Sequence, residues 1–359
     1  MHWQNIKHVT DSDSDSDGVS VRSEGGSVPN PPSANRPVRP ELRPQSQPDP
    51  EVNQVRRRDR RKELQAEWNR AIKFARAAPL YIVTGSNAQD VPPGLEGFEY
   101  CEQHYVRAEG VPGPPDPSFL AICDCTTGCR SAQRCDCQLA SELVNEAGER
   151  KYAYNSEEIF KFNLRPGVVV IECNEGCTCP QTCQNRVAQR PRDVPMEVFY
   201  TGDCGWGVRA TTDLPVGKVL GVYTGKLIRR EDADNLSDEH RSYIFDLDML
   251  ESGDEDASTV RYSVDSYQYG NWSRFINHSC EPNMKVYPVV WDTVAELNQP
   301  YLAFVTTKAV RARTELTIDY NPRDAVAHKQ GKSKGKSRVP EGATRCKCGA
   351  EGCRGWVMV

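Results

Sequence analysis

The 359-residue chain has no apolar run near the ~18 residues that a membrane-spanning helix requires. Its opening residues, MHWQNIKHVTDSDSDSD, lack the apolar core of a secretory signal. It has no dominant charge either: 45 basic and 50 acidic residues leave a formal net charge of −5, which argues against a phosphate-binding surface over the whole chain. Apolar residues reach only 38%, against the roughly 45–50% of ordinary globular chains. That shortfall predicts an unfolded part beside a normal core. Cysteine, by contrast, is abundant, with 15 residues. Without an export signal, disulfides are not expected, and cysteines in a reducing compartment point to metal or catalysis.

Composition divides the chain. Residues 1–55 carry DSDSDSD and then a mixture of Pro, Ser and Arg with almost no aromatic anchor, so this tail is expected to stay disordered. RRRDRRK (56–62) reads either as a nuclear-import or nucleic-acid patch or as a solvated helix start. Within 56–118, an N-terminal helix and approach segment, the residues Leu64, Trp68, Ala71, Ile72 and Ala75 form one helical face, and the helix should end before Pro79. Residues 119–190 hold nine cysteines among few apolar runs, so metal must replace part of their core. From 191 to 321 short β-branched runs alternate with turns, as in MEVFY (196–200), SYIFDLD (242–248), MKVYPVVW (284–291), YLAFVTTK (301–308) and ELTIDY (315–320). This predicts a mostly β (α+β) domain of many short strands. EDADNLSDEH (231–240) is expected to be a short helix and DMLESGDEDAS (248–258) a surface loop. Residues 322–345 form a basic flexible linker, and 346–359 carry the last three cysteines.

The cysteine spacing is informative. Cys123, Cys125, Cys129, Cys135 and Cys137 form one group, and Cys173, Cys177, Cys179 and Cys183 a second. Zinc takes four tetrahedral ligands, and nine is not a multiple of four. Three zinc ions need twelve bonds, which nine thiolates supply only if three of them bridge. Two mononuclear sites with a spare cysteine are the simpler alternative, and iron–sulfur ligation leaves the same remainder. Cys346, Cys348 and Cys353 are one ligand short of a closed site, and Cys280 of NHSC (277–280) is a candidate fourth. In that case the tail folds back onto the β domain and metal orders it. Cys101 and Cys204 remain as ordinary semi-buried thiols.

GWG (205–207), YTG (223–225), RFINHSCEPN (274–283) and ELTIDY (315–320) resemble a SET domain in order and spacing. The nine-cysteine block resembles a pre-SET domain and the last three cysteines a post-SET segment. Together they resemble the Su(var)3-9 family of histone H3 lysine 9 methyltransferases, over roughly 119–356. The resemblance implies a β-clip fold in which 274–280 and 315–320 form a pseudoknot. It implies a three-zinc pre-SET cluster bridged by Cys123, Cys129 and Cys173, with a fourth zinc on Cys280, Cys346, Cys348 and Cys353. S-adenosylmethionine would contact Gly205, Trp206, Gly207, Tyr243, Arg274, Phe275, Asn277, His278 and Trp356. Tyr320 would be the catalytic tyrosine, with Tyr243 beside it.

Ile318 stands where many members of that family carry Phe or Tyr. Without a hydroxyl to crowd the amine, the substrate channel formed by Ile318 and Tyr320 should pass beyond monomethylation to di- or trimethyl-lysine. Over 191–322 the chain has 13 basic and 21 acidic residues, net −8. That surface suits the basic histone H3 tail as peptide substrate, added as a strand, better than it suits DNA, and direct sequence-specific DNA binding is not expected. Residues 323–338 carry six basic residues and one acidic residue, and Lys329, Lys332, Lys334 or Lys336 could be methylated in cis. With no recognisable chromodomain, targeting to heterochromatin in the nucleus would fall to chromatin-associated partners or the N-terminal tail. The competing readings are a non-catalytic zinc-dependent chromatin scaffold and a SET enzyme acting on another lysine.

Overall fold

A long helix, Pro50–Phe74, comes first in the computed structural model, which describes residues 50–83, 91–126, 128–164, 168–247, 260–322 and 339–358. The helix begins earlier than expected, so Pro50–Val55 is helical rather than part of a disordered tail. Proline suits a first helical turn. No Gly or Pro follows until Pro79, and the arginines, glutamates and glutamines between are good helix formers. RRRDRRK therefore lies inside the helix. Leu64, Trp68 and Ile72 are buried as the spacing predicts, Ala71 and Ala75 are half-buried, and Phe74 faces solvent. Trp68 packs on Phe98, Tyr100 and Phe275, with ring centroids 6.3, 5.7 and 5.9 Å away.

The rest is mostly strand. Leu80–Val83 pairs in parallel with Met196–Gly202, which pairs antiparallel with Gly205–Ala210. The amide of Gln65 occupies the outer edge of Leu80–Val83: Nε2 donates to Leu80 O (2.7 Å), and Oε1 accepts from Ile82 N (2.8 Å). A side chain so placed satisfies edge groups that another chain could otherwise pair with. A four-stranded sheet runs Val106–Arg107, Lys226–Arg229, Tyr262–Asp265, Ile244–Asp246, and another runs Val170–Ile171, Met284–Val290, Tyr301–Thr306, Val219–Val222. Every residue of Tyr301–Thr306 is buried, which explains a run apolar without alternation. Residues 231–240 contribute to two short helices, Arg230–Ala233 and Asp238–Arg241, where one was expected. The expected loop 248–258 and the basic stretch 323–338 lie outside the described residues.

Asn277–His278 pairs in parallel with Thr317–Ile318, bringing together the two segments expected to form the pseudoknot. Asn283 reinforces the junction: its Nδ2 donates to Glu315 O (2.7 Å) and its Oδ1 accepts from Thr317 N (2.9 Å). Of ELTIDY only Thr317–Ile318 is strand, because a junction this short pairs only two residues. No helix among the described residues is long and apolar enough to cross a membrane.

Candidate functional site: a zinc-braced cofactor cleft

None of the fifteen cysteines forms a disulfide. Eight of the nine thiols in the first block are buried, and they form a core with little beside them but Ala132 and Tyr152. Their sulfurs fall into three tetrads: Cys123, Cys129, Cys135, Cys173; Cys123, Cys137, Cys173, Cys177; and Cys129, Cys173, Cys179, Cys183. Cys125 lies against Cys123, Cys129 and Cys135. The shared sulfurs, Cys123, Cys129 and Cys173, make a triangle with sides of 3.7, 3.9 and 3.5 Å. A tetrahedron with Zn–S bonds near 2.3 Å has S···S edges of about 3.8 Å. The donor set thus fits three zinc ions with three bridging thiolates. Eight of the nine cysteines fall in these tetrads, Cys173 in all three, and Cys125 stands outside them beside the first. Cys280, Cys346, Cys348 and Cys353 form a fourth tetrad, with Cys280 3.9 Å from both Cys346 and Cys353. Cys101 and Cys204 are half-buried and belong to neither set.

Beside the tail tetrad opens a cleft of about 580 Å³. Gly205, Trp206, Tyr243, Arg274, Phe275, Asn277, His278 and Tyr320 line it, joined by Tyr200, Gly202, Asp203, Cys204, Ser242 and, from the tail, Arg345, Cys346, Lys347, Cys348 and Val357. Cys346 and Cys348 therefore belong both to the tail tetrad and to the wall of the cleft. Gly207, Ile318 and Trp356 stand outside this lining. Ile318 is buried opposite His278 in the strand pair, and Trp356 is buried in the tail hairpin beneath the Arg354 guanidinium, 5.5 Å away.

The two glycines of GWG have different reasons. Gly205 sits at φ +73°, in the left-handed region. At Gly207 a Cβ would lie 2.6 Å from both Glu315 Oε1 and Thr201 Cγ2. Glu315 also accepts from Asn277 Nδ2 at 2.8 Å, and burial raises its pKa. Asn277 Nδ2 reaches Trp206 O as well, at 3.2 Å, so it ties the two motifs together.

The Tyr320 hydroxyl donates to Ile276 O at 2.6 Å. Burial, reinforced by Tyr223 and Tyr243, holds the phenol well above its ordinary range. Its backbone N–H donates to His278 Nδ1 at 3.1 Å. Burial depresses His278 to about 4, so the ring is neutral near pH 7, and its proton sits on Nε2, 3.3 Å from the Cys280 sulfur. Arg274 is buried with its guanidinium 4.2 Å from the Tyr243 ring, and burial lowers its pKa. The Tyr223 hydroxyl donates to Tyr243 O at 2.7 Å. Arg274 Nη1 and Trp206 Nε1 are buried donors without a protein partner, although both residues line the cleft. Unpaired buried donors are costly, so these two fit an acceptor-rich occupant.

Sequence reasoning missed Glu315, Tyr223 and Arg354. YTG did contain Tyr223, and ELTIDY contained Glu315.

Residues 75–186 match the Pre-SET motif and residues 205–321 the SET domain. The chain is 30% identical over 314 residues to "Histone-lysine N-methyltransferase, H3 lysine-9 specific dim-5" of Neurospora crassa, covering 81% of this chain and 92% of that protein. The chain belongs to the Su(var)3-9 family of SET-domain proteins. It is 34% identical over 278 residues to "Histone-lysine N-methyltransferase, H3 lysine-9 specific" of Schizosaccharomyces pombe, covering 74% of this chain. Drosophila melanogaster "Histone-lysine N-methyltransferase Su(var)3-9" is 35% identical over 265 residues, 72% of this chain. The chain spans 52% of the fission-yeast relative's length and 38% of the fly protein's. Among solved structures, KRYPTONITE in complex with mCHH DNA, an H3(1-15) peptide and SAH superposes with a TM-score of 0.57 at 25% identity, covering 78% of this chain and 51% of that one. The mostly β architecture is thus the SET fold. The Pre-SET match starts well before the first clustered cysteine, just past the end of the long helix.

Proposed function

We propose that this chain is a protein-lysine methyltransferase that uses S-adenosylmethionine to methylate lysine 9 of histone H3, to the di- or trimethyl level. One observation carries the reading: a half-buried Tyr320, its hydroxyl donating to Ile276 O, in a cleft whose walls include both the RFINHSC segment and residues of the tail tetrad. The naming of the relatives above and the peptide in the KRYPTONITE complex support the choice of substrate.

S-adenosylmethionine, when bound, supplies a methyl group on a positively charged sulfur. Trp206 Nε1 and Arg274 Nη1 would donate to its polar groups, with Gly205, Phe275, Asn277 and His278 around it. With its pKa raised by burial, Tyr320 keeps its proton at neutral pH and offers no phenolate to act as general base, so its hydroxyl positions the incoming amine. That oxygen gives its proton to Ile276 O and keeps its lone pairs for the substrate. The amine must arrive neutral, and a buried aromatic channel lowers an ammonium pKa. Holding amine and methyl in line accounts for most of the acceleration. Backbone carbonyls can orient the methyl through weak C–H···O contacts.

Zinc would be held by the thirteen cysteines of the two sets and would brace the cleft without entering the chemistry. Nuclear, heterochromatic action with targeting partners follows from the proposed substrate. Radiolabelled methyl transfer to H3 peptides, each lysine substituted in turn, tests the proposal. A scaffold would transfer nothing, and an enzyme for another lysine would lose its signal at a different substitution.

A further inference from the structure

We propose that Arg354 is a positioning residue that couples the tail metal site to Tyr320 by gripping both of that tyrosine's neighbours. Its backbone N–H donates to the Cys280 sulfur at 3.3 Å, so the residue begins at the metal tetrad. Its guanidinium forks onto Asp319, with Nη2 2.7 Å from Oδ1 and Nη1 3.0 Å from Oδ2. Nη1 also donates to Asn321 O at 3.1 Å. Asp319 and Asn321 flank Tyr320, so one side chain holds the carboxylate of the residue before the catalytic tyrosine and the backbone carbonyl of the residue after it. The Arg354 and Asp319 side chains are 3% and 10% exposed, so solvent and salt screen their attraction little. A planar fork suits this double grip, and a lysine offers only a point charge. Closure of the tail therefore does more than complete a wall: it sets the position of the tyrosine.

The kinetic half of this proposal rests on the methyltransferase reading, and the metal half does not. The test compares wild type with Arg354→Gln, Arg354→Lys, Asp319→Asn and the Arg354→Gln/Asp319→Asn pair, reading zinc release to a chromogenic chelator alongside kcat and KM for an H3 peptide. Each single variant should keep its full zinc complement without chelator. With chelator it should release one zinc equivalent of four about tenfold faster than wild type. Its kcat should fall by about tenfold or more, with peptide KM nearly unchanged, because small misplacements near a reacting centre cost up to about 100-fold. Arg354→Lys should not rescue kcat, and the pair should be no worse than either single change. Unchanged release and kcat in the single variants, or losses that multiply in the pair, would overturn the proposal. Should Arg354→Gln fail to fold, the near-isosteric Asp319→Asn decides the matter by the same readouts. A wild-type protein that methylates no peptide would refute the function, and the zinc-release comparison would still decide the coupling.

Discussion

Tyr320 combines a hydroxyl committed to Ile276 O with a backbone committed to His278. Tyr320→Phe keeps the ring and removes the group that orients the amine. Methyl transfer should fall about 100-fold, in the range expected when a positioned polar group is lost, while zinc content and circular dichroism stay as in wild type. Ile318 presents no hydroxyl, so mass spectrometry of exhaustively reacted H3 peptide should show di- or trimethyl-lysine, and Ile318→Tyr should shift the product toward monomethyl. Gly207→Ala places a methyl 2.6 Å from Glu315 and Thr201 side-chain atoms. It should destabilise by about 1–3 kcal/mol, as overpacking does, and lower the melting temperature. The motif residues were legible because each type has a narrow use: glycine for a positive φ, cysteine for metal. Arg354 was not, because nothing local distinguishes a surface arginine from one that folds back 35 residues to Asp319.

Among the elements, the long helix shows what periodicity can and cannot supply. Its buried face was readable from the spacing of Leu64, Trp68 and Ile72, but its start was not, because no regular apolar spacing marks the turns before Arg60. The helix also reaches the site: Trp68 packs on Phe275, which lines the cleft. Trp68→Ala should cost about 3–5 kcal/mol, as loss of a buried aromatic does, and should weaken cofactor binding measured by calorimetry. The pre-SET element depends instead on a carboxylate next to the metal cluster. Glu172 is buried and accepts from Tyr154 OH (2.6 Å), Val187 N (3.0 Å), Ala188 N (2.7 Å) and Gln189 Nε2 (2.8 Å), pinning the chain beside Cys173 and Cys183. The carboxylate and its partners come from three separate stretches of sequence, so only the folded chain reveals the hub.

Over the whole molecule, zinc supplies what the apolar fraction lacks. With the proposed thirteen thiolates and four zinc ions, the formal charge would go from −5 to about −10, which would add to the attraction for a basic peptide. Elemental analysis should find four zinc ions per chain. Chelation should abolish transfer, with the tail zinc leaving first, because three of its four donors, Cys280, Cys348 and Cys353, are only partly shielded while eight of the nine cluster thiols are buried. The central claim is that the cleft is built to methylate one histone lysine. Methyl transfer to an H3 tail peptide and to a counterpart in which arginine replaces the histone's lysine 9, with wild-type protein and Tyr320→Phe side by side, tests it most directly. The account predicts transfer by the wild-type protein to the first peptide alone, and about 100-fold less with Tyr320→Phe. Equal transfer to both peptides, or undiminished transfer without the Tyr320 hydroxyl, would contradict it.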